Sequence, residues 1–128
     1  MYSILIIDDD EKFRVMLRNM LERANYDVVE AREGGEGIKV ALQKHFHLAI
    51  VDLIMPEKEG VETIMEMREN LPNLKIIAIS GGGRMKPEGL LQAAKTMGAH
   101  HTFTKPLDQE EILGAVKELI LGVGLKTQ

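Results

Sequence analysis

Polar side chains stand at the ends of four short apolar runs in this chain. Asp8, Asp9 and Asp10 follow "SILII" (3–7), Asp52 closes "HLAIVD" (47–52), Ser80 closes "LKIIAIS" (74–80), and Thr104, Lys105 and Pro106 end "HHTFT" (100–104). Singly, each has an ordinary explanation. An acidic run before a helix caps it and complements its dipole, Asp52 can end a strand, Ser80 before glycines can form a turn, and a lysine beside a proline can be a solvated loop residue. Jointly they ask for more. Close carboxylates on one apolar edge repel one another and raise their proton affinity unless a cation sits among them. A few hard oxygen ligands with room for water suit Mg2+. Asp9 and Asp52 are the expected direct ligands, with Asp8 helping directly or through water. A metal beside an aspartate, with a lysine opposite, makes a site for phosphoryl transfer: a carboxylate oxygen attacks in line while the metal and the ammonium neutralise charge. Ser80 would donate a hydrogen bond to a phosphate oxygen.

These residues must be held by elements that bring strand ends together. The apolar runs at 3–7, 26–31, 47–52, 74–80 and 100–104 alternate with amphipathic stretches. The first of these carries Phe13, Met16, Leu17, Met20 and Leu21 at helical spacing. Further helices are expected over "GEGIKVALQKH", over "VETIMEMREN" before Pro72, over "PEGLLQAAKTMG" closed by Gly98, and over "DQEEILGAVKELIL", where Asp108 and Glu111 have capping-box spacing. Five strands alternating with five helices imply an α/β fold with a parallel sheet covered on both faces. Ligands of such sheets bind outside the carboxyl ends of the strands, where the polar residues above fall. Strand two, ending in "EAREGG", offers less distinctive chemistry.

The 128 residues make one domain with a real core. A net charge of −4 argues against a general nucleic-acid or membrane-surface binder, and the absence of cysteine removes disulfides and thiolate metal sites. "MYSILIIDDD" is too short in apolar residues for a signal peptide or a membrane span, so a cytoplasmic protein is expected. Of the four histidines, His100 and His101 are adjacent and point to opposite faces of a strand, and His45 and His47 have no matching carboxylate pattern. They read as scattered strand-end or surface residues, and the eight methionines as packing.

The motifs "ILIIDDD", "AIVDLIMPEKEG", "IIAISGG" and "GAHHTFTKPL", in this order and spacing, resemble the receiver domain of bacterial two-component response regulators over residues 3–122. The resemblance implies a flavodoxin-like doubly wound (βα)5 fold with strand order 2-1-3-4-5; a chemotaxis receiver is a standard example of that order. It implies that Asp52 is the phosphoacceptor, fed by a sensor histidine kinase or a histidine phosphotransfer protein. Asp8 and Asp9 match the acidic pair that holds Mg2+, Ile54 the residue whose backbone carbonyl completes the metal site, Ser80 the switch hydroxyl, and Lys105 the phosphate-contacting lysine. The Lys105–Pro106 bond is commonly cis in this family. The receiver would occupy residues 1–122, with 123–128 a tail or the start of a linker. Its output would be a downstream effector protein or output domain, with no direct nucleic-acid or membrane contact. The switch would act through the loop after the fourth strand and the face made by the fourth helix, fifth strand and fifth helix, through which a dimer could form.

Three departures stand out. Thr102 occupies the position where receivers usually carry an aromatic residue, Glu59 stands where aspartate is common, and "GGG" (81–83) follows Ser80. A switch carried mainly by the glycine run and the fourth helix, near Leu90 and Leu91, is therefore expected, with strand five responding less. Ile54 and Gly82 cannot orient an attacking water, which predicts slow self-dephosphorylation. Two rival readings are a receiver-like module that docks partners without phosphorylation, and a phosphohydrolase of the haloacid dehalogenase type using Asp8 and Asp10. The second lacks a later acidic pair and room for a cap domain, and has Lys12 where that family usually has threonine or valine.

Overall fold

Alternation along each apolar run sends successive side chains to opposite faces of one sheet. The computed structural model describes residues 1–53, 60–81 and 87–122, with the side chains of Pro87, Glu88, Leu90 and Leu91 left aside. Its elements in chain order are β1 (Ser3–Ile7), α1 (Glu11–Arg23), β2 (Asp27–Ala31), α2 (Gly34–Gln43), β3 (Leu48–Asp52), α3 (Gly60–Asn70), β4 (Lys75–Ser80), α4 (Pro87–Met97), β5 (His101–Thr104) and α5 (Gln109–Leu121). The sheet is parallel, in the order β2-β1-β3-β4-β5, as expected.

Two apolar clusters flank the sheet. Leu5, Ile7, Ala49, Val51, Ile76 and Ala78 face Ile38, Ile64, Met67 and Ala94 of α2, α3 and α4. Ile4, Ile6, Leu48, Ile50, Ile77 and Ile79 face Leu17, Leu21, Ile112 and Val116 of α1 and α5. Each fully buried aliphatic side chain contributes roughly 1.5–3 kcal/mol. The continuous "ILII" and "AIV" runs are thus explained by burial on both faces.

Helix ends follow their local chemistry. Asp10 caps α1, accepting from the N–H groups of Lys12 (3.1 Å) and Phe13 (3.3 Å), so it belongs to the helix rather than the acidic site. Asp108 accepts from the Glu111 N–H at 3.1 Å, the expected N-terminal signature of α5. Gly98 ends α4 with φ 128°, a conformation that favours glycine, and its carbonyl accepts from Arg68. Gly60 opens α3 where a Cβ would overlap the Asp52 carbonyl oxygen and the Leu53 Cα. Only glycine allows the chain to pass so close to the end of β3.

Two expectations change. Met16, placed on the apolar stripe of α1 by its spacing, is 41% exposed, and the inward position beside Leu17 and Leu21 belongs to Arg14, which is buried. His47 and His100, read as the first residues of strands, lie just before β3 and β5 and bond to the neighbouring strand through both backbone and ring. Among the described residues no helix is long and apolar enough to cross a membrane.

Candidate functional site

The carboxyl ends of β1, β3, β4 and β5 bring together Asp8, Asp9, Asp52, Ser80 and Lys105. Carboxylate oxygens of Asp8, Asp9 and Asp52 lie within 4.8 Å of one another, the one such grouping of metal-ligating side chains among the described residues. Asp8 and Asp52 are buried and Asp9 is exposed. No histidine joins them.

Asp8 is held on every side. One carboxylate oxygen accepts from the Asp10 N–H at 2.8 Å, the other pairs with the Lys105 ammonium at 3.0 Å, and its carbonyl accepts from Arg14 Nη1 at 2.8 Å. Burial pushes the Asp8 carboxyl above the usual range; the Asp10 N–H and Lys105 pull it back, and the Asp9 charge raises it further. Desolvation therefore outweighs the mutual repulsion that the sequence pattern suggested.

Lys105 is positioned by its own backbone, whose N–H donates to the Ser80 carbonyl at 2.8 Å; the Lys105–Pro106 bond is cis, as expected. Its ammonium also lies 4.0 Å from the centroid of the Phe13 ring on α1. Ser80 is 1% exposed, and its hydroxyl makes a long 3.4 Å hydrogen bond to the Gly81 carbonyl. Such a weak bond leaves the hydroxyl able to turn to a better acceptor. Ile54, Glu59, Gly82 and Gly83 lie outside the described residues, as do the side chains of Leu90 and Leu91. The expectations resting on them have no structural counterpart.

Two buried carboxylates, an exposed one, an ammonium and a buried hydroxyl thus share one edge of a doubly wound parallel sheet. The family model described as the response regulator receiver domain matches residues 4–117. The chain belongs to that family. This receiver is 27% identical over 118 residues to sporulation initiation phosphotransferase F of Bacillus subtilis (strain 168), covering 92% of this chain and 93% of that one. It superposes on a CheY-like receiver domain protein from Methanospirillum hungatei JF-1 with a TM-score of 0.87 at 27% identity, covering 95% of each chain. It also superposes on the response regulator TrrA from Thermotoga maritima in complex with Mg2+ and beryllofluoride, with a TM-score of 0.80 at 27% identity over 93% of this chain and 99% of that one. Other curated relatives, named as transcriptional regulatory proteins, are longer, and the receiver spans about half their length (47–48%).

Two features of the receiver were not read from the sequence. One is the half-buried bridge from Arg14 to Glu30 (2.7 Å), shared by Arg18 (2.9 Å), which ties α1 to β2. The other is the Phe13 ring under Lys105. Thr102 pairs with Ala78, so it faces the α3 and α4 side, whereas Phe103 packs with the α1 and α5 cluster. The aromatic ring of β5 therefore lies across the sheet from Thr102.

Proposed function

We propose that this receiver is a phosphoacceptor switch in which Asp52 takes a phosphoryl group from the phosphohistidine of a sensor histidine kinase or histidine phosphotransfer protein. The observation that carries the reading is the Asp8, Asp9 and Asp52 cluster with Lys105 at its edge. An Asp52 carboxylate oxygen attacks phosphorus, a P–O bond forms as the P–N bond of the donor breaks, and the leaving imidazole takes up a proton. Lys105 and the Ser80 hydroxyl then satisfy the new phosphoryl oxygens. The all-oxygen donor set fits Mg2+, which Asp8, Asp9, Asp52 and the Ile54 carbonyl would hold. When bound, Mg2+ supplies charge neutralisation on the transferring group. The protein is a regulator whose only chemistry is its own phosphorylation and dephosphorylation.

The same reading assigns residues 1–122 to the receiver and 123–128 to a tail. It passes the signal through the loop after β4 and the α4, β5 and α5 face to an effector protein or output domain, or to a second copy by dimerisation. A cytoplasmic setting, where the donor is met, belongs to it. Incubation with acetyl phosphate tests the reading. Label should appear only with Mg2+ present, be released by alkali and hydroxylamine, and be absent from Asp52→Asn. Labelling of Asp52→Asn at the wild-type level overturns the acceptor assignment, and no labelling of the wild type favours a module that docks without phosphorylation.

A further inference from the structure

A lysine that must contact a phosphoryl group on Asp52 has to be somewhere else beforehand. Among the described residues two partners are visible: the Asp8 carboxylate at 3.0 Å and the Phe13 ring, 4.0 Å from ammonium to centroid. The electron-rich face of a phenyl ring attracts a cation at this distance. The Asp8 partnership is contested, because any cation held by the acidic cluster draws on the same carboxylate. The ring is not contested.

We infer that Phe13 is a positioning residue that parks the Lys105 ammonium over α1 in the unphosphorylated protein and releases it when the side chain turns to a phosphoryl group on Asp52. This rests on the reading of Asp52 as phosphoacceptor. The geometry suits a fixed parking place. The Phe13 N–H donates to the Asp10 cap, and the next residue, Arg14, is bonded to the Asp8 carbonyl, so the first turn of α1 is tied to the end of β1. Phe13 also packs against the apolar cluster that includes Ile4, Ile6 and Leu17. Lys105 is anchored at its backbone to Ser80, so only its flexible stem needs to pivot. A leucine at 13 would keep the position apolar, but only an aromatic ring also holds the ammonium.

The test uses the whole chain and reads the Lys105 Cε protons by NMR. A parked ammonium places them in the shielding cone of the ring, so they resonate upfield of ordinary lysine in the wild type, with or without Mg2+. The upfield shift should vanish in Phe13→Leu and persist in Phe13→Tyr. Mg2+ with beryllofluoride should abolish it in the wild type. Because the resting state loses an attraction, Phe13→Leu should bind beryllofluoride roughly two- to fivefold tighter, with Phe13→Tyr near wild type. Ordinary Cε shifts in the wild type, or equal beryllofluoride affinity in wild type and a natively folded Phe13→Leu, overturn the proposal. An upfield shift that survives beryllofluoride binding overturns the release step. Failure of the wild type to bind beryllofluoride at all removes the phosphoacceptor reading and the switching role with it, while the upfield shift still reports the ring contact by itself.

Discussion

Arg14 shows how one side chain can serve the core and the site together. Its side chain is buried, and its guanidinium is hydrogen-bonded, Nε to Glu30 and Nη1 to the Asp8 carbonyl. Burial pushes the Glu30 carboxyl up, but bonds and charges from Arg14 and Arg18 outweigh it and hold Glu30 below its usual range. That contribution is present above the ordinary glutamate range and is lost as pH falls through the depressed value. Arg14→Ala should cost about 2–4 kcal/mol in urea unfolding, since Glu30 keeps Arg18 but the Asp8 carbonyl loses its donor. Arg14→Lys should recover only part of it, because an ammonium lacks the planar fork that reaches both acceptors. This bridge was not legible in the sequence. A charged residue between Phe13 and Leu17 looks like the solvated side of a helix until the partner on β2 is known.

At the scale of elements, the amino ends of β3 and β5 are closed in the same way. His47 donates its N–H to the Ser3 carbonyl and accepts the Ser3 N–H at Nδ1; His100 does the same with Ile76. Each ring must therefore be neutral, with its proton on Nε2. Burial lowers the proton affinity of both, helped by His45 and the N-terminal amine at His47 and by Arg68, Lys75 and His101 at His100. With folded values below the ordinary 6.5, the stabilisation is complete above that pH and is lost as pH falls through the lowered values. The urea midpoint should therefore drop between pH 7.5 and 5.5. A His47→Asn, His100→Asn double variant, whose Oδ1 can take the place of Nδ1, should keep the midpoint at pH 7.5 and flatten the drop. The opposed directions of His100 and His101 were readable from strand alternation, and His101 does reach Glu118 on α5 at 3.2 Å. The closure was not, because it depends on the register of β4 against β5.

For the molecule as a whole, the order of apolar runs and amphipathic stretches was enough to read the doubly wound sheet, since burial on both faces leaves few alternatives for five such runs. The convergence of Asp8, Asp9, Asp52, Ser80 and Lys105 followed from that topology. What escaped was the set of side chains behind them, Phe13 and Arg14, whose roles arise only once α1 is packed on β1. Metal binding at the acidic cluster, as proposed, would tie stability to Mg2+. A ligand that binds only the folded state adds ~1.4 kcal/mol at ten times its Kd. For a domain of this size, saturating MgCl2 should raise Tm by roughly 4–7 °C over EDTA. Asp9→Asn, at an exposed position, should fold normally and lose most of the rise.

The contact at Gly60 bears on how this chain can drift in sequence. The residue has no side chain, yet its backbone passes so close to the Asp52 carbonyl that any side chain would collide with the end of β3. Substitutions there would act as displacements of Asp52, and the tolerance of position 60 to change would track that of the proposed acceptor.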